Sequence, residues 1–101
     1  MDAKLEKLAD VEEKHEFPVG TRLRVYDHEA NHDYYEYLLT YVPWQPDSML
    51  LVNVTPNNIK AGFVYTGMVP IERGDGLVGV RKSGLRHTLG SELLNWYLVV
   101  D

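Results

Sequence analysis

The chain has 101 residues, of which 45% are hydrophobic and 25% charged; it has no cysteine, and its formal net charge is −5. This length makes a single domain, 1–101, with enough apolar material for a core without staples. The lack of cysteine excludes a disulfide framework and thiolate metal sites and suits a reducing compartment. The acid balance argues against nucleic acid, whose phosphates draw their affinity from lysines and arginines.

Residues 2–16 predict a helix. Asp2 can cap it, Leu5, Leu8 and Val11 recur along one edge, and Asp10 stands four residues before Lys14. Phe17-Pro18 should end it. The first 16 residues carry six acids and no apolar run of signal-peptide length. No stretch approaches the ~20 apolar residues of a membrane span. A cytoplasmic setting and no membrane partner are expected.

From Gly20 the pattern is β. In Thr21–Asp27, Leu23 and Val25 alternate with Arg22, Arg24 and Tyr26, giving a strand with one buried face. Tyr34–Val42 predicts the next strand, with Tyr35, Tyr37, Leu39 and Tyr41 on the buried side. Pro43–Ser48 reads as a turn and Met49–Val54 as a third strand. Phe63–Thr66, Met68–Glu72 and Leu77–Lys82 are three more, the last two joined by Arg73-Gly74-Asp75-Gly76, a hairpin signal. Gly84 interrupts the chain, Ser91 can cap a short helical turn, and Trp96–Val100 alternates as a closing strand. The expected fold is mostly β within the α+β class. It places an N-terminal helix before a strongly curved antiparallel sheet or small open barrel of six to seven strands, spanning 20–101.

Chemical motifs are weak. Gly74–Gly79 matches G-x-G-x-x-G, but no helix follows to hold a pyrophosphate. Arg73-Gly74-Asp75 spells an adhesion tripeptide that tight turns generate readily. His28 and His32 stand four apart among carboxylates, yet in a loop between strands and without H-E-x-x-H spacing. Ser83, Thr88 and Ser91 lie near His87 with no nucleophile turn around them. No enzyme, no cofactor and no metal site is expected.

Charge is distributed unevenly. Between Val25 and Ile59 there is no lysine or arginine, while that window holds Asp27, Glu29, Asp33, Glu36 and Asp47, five tyrosines and Trp44. An acidic aromatic surface suits a basic protein partner: charge steers the encounter, and rigid rings supply contact area at low entropic cost. The candidate partner-binding set is Asp27, Glu29, Asp33, Glu36 and Asp47, with Tyr34 and Trp44 as anchors.

In size, charge and this carboxylate-and-aromatic texture the chain resembles small acidic bacterial immunity proteins. That resemblance implies a non-enzymatic inhibitor neutralising a basic toxin such as a nuclease. Two other readings draw on the same residues: a small-barrel adaptor gripping basic peptides by cation–π contacts, and a phage-encoded inhibitor of a host enzyme.

Overall fold

The computed structural model describes residues 4–26, 34–42, 45–55, 64–74 and 76–100. In chain order these form β1 (Lys4–Lys7), a 3-10 turn (Leu8–Asp10), β2 (Glu16–Pro18), β3 (Arg22–Tyr26), β4 (Tyr34–Val42), β5 (Gln45–Asn53) and β6 (Val64–Met68). There follow β7 (Pro70–Arg73), β8 (Gly76–Arg81), helix α1 (Lys82–Leu89), a 3-10 stretch (Gly90–Asn95) and β9 (Trp96–Val100).

The N-terminal helix expected over 2–16 does not form in the described part of that segment. Lys4–Lys7 is instead an edge strand antiparallel to β9, with Lys4 opposite Val100 and Lys7 opposite Tyr97. Leu5, Leu8 and Val11 are three residues apart, a spacing that an α-helical edge and a 3-10 turn share. The pairing of Lys4–Lys7 with β9 leaves only Leu8–Asp10 as a single 3-10 turn. Leu8 is fully buried and Val11 nearly so, so the turn plugs the core, whereas a charged helix would have buried only one thin edge. The α-helix lies near the other end of the chain, at Lys82–Leu89, across the Gly84 expected to break it.

The sheet is also not one barrel. Six strands run in the order β1-β9-β3-β4-β5-β6, and β2, β8 and β7 make a separate three-stranded sheet. All pairings among the described residues are antiparallel, and the larger sheet is open, its end strands β1 and β6 unpaired to each other. The chain steps between the sheets at Pro18–Thr21, where the Val19 amide donates to Val78 O at 3.0 Å and the Gly20 amide to Leu39 O at 2.8 Å.

The smaller sheet and α1 cover one face of the larger sheet. Phe17, Val80, Leu85 and Leu89 join Leu23, Tyr37, Leu39, Leu51 and Trp96 in a single apolar cluster. Period-2 alternation sets which residues enter it. Leu23 and Val25 on β3 and Tyr35, Tyr37 and Leu39 on β4 face inward, as the pattern predicts. Tyr41 does not follow: it is 46% exposed, near the end of β4 where the β4–β5 ladder becomes irregular.

Two glycines permit the layers to close. A Cβ on Gly79 would lie 2.0 Å from Phe17 O across the β2–β8 pair, and one on Gly84 would lie 3.2 Å from Val69 O under α1. Gly84 thus sits where α1 approaches the segment joining β6 to β7 closely, and an added methyl would fit only if that segment gave by a few tenths of an ångström.

Candidate functional site

The residues that alternate with the core on β3, β4 and β9 share the opposite face of the larger sheet. Across it, Lys7 pairs in register with Tyr97, Tyr97 with Arg24, and Arg24 with Glu36. One step along, Tyr26 pairs with Tyr34. This face is half-buried aromatic and charged surface.

Glu36 shows what happens to charge here. Its carboxylate accepts Arg24 Nη2 at 2.9 Å and Nε at 3.3 Å, and Arg22 Nη1 lies 3.6 Å away. Glu36 is only 8% exposed. Its backbone is fixed too: its amide donates to Thr55 Oγ1 at 2.8 Å, and its carbonyl accepts the Val54 amide at 2.8 Å. Arg24 Cζ sits 3.9 Å above the Tyr34 ring, so one cation is held between a carboxylate and an aromatic face. Glu36 is thus held inside the sheet by arginines of its own chain, contrary to its expected role as a free docking acid.

The tyrosines form a ladder. Tyr34 and Tyr26 have ring centroids 5.9 Å apart, and Tyr26 meets Tyr97 edge-on at 5.5 Å. Beyond Tyr97 opens a groove of about 610 Å³ lined by Leu5, Lys7, Tyr26, Leu94, Asn95 and Tyr97. Leu94 is 64% exposed, although its neighbour Leu93 is buried in the core. An exposed leucine, two tyrosine rings, an amine and an amide thus share one wall.

Of the sequence-chosen residues, Tyr34 stands in this ladder. Asp27, Glu29, Asp33 and Trp44 lie outside the described residues, as do His28 and His32. Asp47 falls within β5. Sequence reasoning missed Tyr97, Leu5, Lys7, Leu94 and Asn95, which come from both ends of the chain and meet only because β1 and β9 pair. Tyr26 was legible as the outward partner of Leu23 and Val25.

The remaining arginines of the described residues are also engaged. Glu16 binds Arg73 at 2.7 Å and approaches Arg81 at 3.6 Å. The hydrogen bond from Arg73 is the main cause that holds the Glu16 carboxyl below its ordinary range. Glu13 binds Arg86 and lies 3.7 Å from Lys82.

On the core side of the larger sheet, Tyr37, Tyr65 and Trp96 pack with centroids 5.1–5.6 Å apart. Burial first, and then the neighbouring Tyr65, push the Tyr37 phenol up to about 12. Among the described residues no group of three or more His, Asp or Glu side chains is placed to hold a metal ion. No helix of the described residues is long and apolar enough to cross a membrane. No family model, curated protein or solved structure matches the chain.

Proposed function

We propose that the chain is a non-enzymatic, cytoplasmic protein-binding inhibitor of the bacterial immunity type, neutralising a basic partner such as a nuclease toxin. The observation that carries this reading is the Tyr34–Tyr26–Tyr97 ladder on the face turned away from the core. Tyr26 and Tyr34 are the last and first residues of β3 and β4, so they flank the stretch of sequence that holds Asp27, Glu29 and Asp33. Rigid rings beside a stretch of sequence rich in carboxylates and free of lysine and arginine are the chemistry that holds and steers a cationic protein. The docking set is accordingly Tyr26, Tyr34 and Tyr97 with Asp27, Glu29, Asp33, Trp44 and Asp47, and without Glu36, whose charge is cancelled internally.

The rival adaptor reading needs an open ring face for a basic peptide. The Tyr34 ring already carries Arg24 at 3.9 Å, which disfavours it.

The test is affinity capture from a lysate of the source cell on immobilised full-length chain. It compares wild type with a triple variant (Asp27→Lys, Glu29→Lys, Asp33→Lys) and with Tyr26→Ala. Wild type should retain one basic protein, the triple variant should lose it, and the purified pair should associate several-fold more slowly after charge reversal. Equal retention by all three chains would overturn the reading.

A further inference from the structure

We infer that the groove beside Tyr97 is a subsite for an extended segment of the partner that presents a large apolar side chain next to a carboxylate. This deepens the docking reading above and rests on it, but it assigns the groove a chemistry opposite to that of the acidic window.

The argument begins with Lys7. Among the described residues every arginine has a carboxylate of this chain within ion-pair distance: Arg22 and Arg24 at Glu36, Arg73 and Arg81 at Glu16, and Arg86 at Glu13. Lys7 has none among the described residues, and it projects into a groove whose described lining contains no acid. Its in-register neighbour is Tyr97, and Arg24 beyond that is paired with Glu36 at 2.9 Å, so Lys7 supplies the charge of the described groove lining. An occupant with a carboxylate at that point is complementary, and a cationic one is repelled.

The rest of the wall sets the remaining chemistry. Leu5 and the exposed Leu94 offer an apolar floor, and the edge-on pair Tyr26–Tyr97 offers ring surface. A volume of about 610 Å³ lies within the roughly 300–1,000 Å³ range of ligand sites and accommodates one aromatic side chain with adjoining backbone. The Asn95 amide and the two phenols supply donors and acceptors for that backbone, as extended-peptide grooves do.

The probe is a capped tetrapeptide, acetyl-Gly-Phe-Glu-Gly-amide, titrated into the ¹⁵N-labelled full chain and compared with its Gln counterpart. The Glu peptide should move the amide signals of Lys7, Leu94, Asn95 and Tyr97 saturably. The Gln peptide should bind about fivefold more weakly, the upper end for one exposed ion pair. Lys7→Gln should equalise the two peptides, and Leu94→Asp, with signal dispersion intact, should abolish both. Equal affinity of the two peptides for wild type, a difference that survives Lys7→Gln, or no shift at these amides at millimolar peptide would overturn the assignment. The acidic window takes no part in this titration. A failed titration therefore leaves the captured basic partner standing, and a failed capture with intact peptide binding removes only the inhibitor reading.

Discussion

Arg24 and Glu36 face each other across β3 and β4, with guanidinium and carboxylate 2.9 Å apart and the Tyr34 ring 3.9 Å beneath the cation. Both side chains are mostly shielded, 14% and 10% exposed. A half-broken pair in such a place leaves a desolvated charge without a partner. Glu36→Gln should therefore lower stability by about 3 kcal/mol in urea unfolding. The double replacement Arg24→Met with Glu36→Leu should recover most of that loss. A Glu36→Gln chain as stable as wild type would show that the pair contributes nothing.

The fate of Glu36 also shows where sequence reading stops. Strands β3, β4, β8 and β9 were legible from alternation and from the Asp-Gly hairpin signal in the sequence, because each buries one face and period 2 records it. The N-terminal segment was not, since Leu5, Leu8 and Val11 satisfy a helical edge and a 3-10 turn equally, and only pairing with β9 decides. The acidic window put Tyr34 and Glu36 among the candidates but could not show that Arg24 stands opposite Glu36. That pairing follows from strand register, a non-local property. Nothing local ties Leu5 and Lys7 to Tyr97, more than eighty residues away.

Lys82 is 2% exposed, yet its amine faces backbone, donating to Ala9 O at 3.2 Å and Val11 O at 2.5 Å. Its amide meanwhile donates to His15 O at 3.1 Å. The first residue of α1 thus holds the 3-10 turn that follows β1. Lys82→Met keeps the apolar stem and removes the donors, leaving two carbonyls unsatisfied, which should cost about 2 kcal/mol. Hydrogen exchange should quicken at Leu8–Val11 and along the β1–β9 ladder before it does in β3–β5. Uniform quickening would mean that Lys82 acts on the whole core instead of on this segment.

Two glycine-to-alanine changes should differ sharply. At Gly79 the added Cβ meets Phe17 backbone at 2.0 Å, and neither strand can retreat without breaking the β2–β8 pairing. Gly79→Ala should cost about 3 kcal/mol or more. At Gly84 the contact is 3.2 Å from Val69 O, and alanine recovers about 1 kcal/mol of helix propensity. Gly84→Ala should therefore stay within about 1 kcal/mol of wild type. Thermal midpoints of both variants measure the contrast, and similar losses at the two sites would contradict the close-approach account.

Tyr37 gives the fold an alkaline limit. Burial against Tyr65 and Trp96 raises its phenol from 10.0 to about 12, and burial raises Tyr65 as well. A raised folded-state pKa means that the native form prefers the proton. The contribution is thus complete below pH 10, where the unfolded chain begins to titrate, and fades as pH rises toward 12. The gap corresponds to at most about 3 kcal/mol from Tyr37. Urea midpoints measured from pH 8 to 12 should fall above pH 10 in wild type. Tyr37→Phe, which keeps the ring packing and has no proton to lose, should flatten most of that slope. An equal alkaline loss in Tyr37→Phe would assign the limit to other groups.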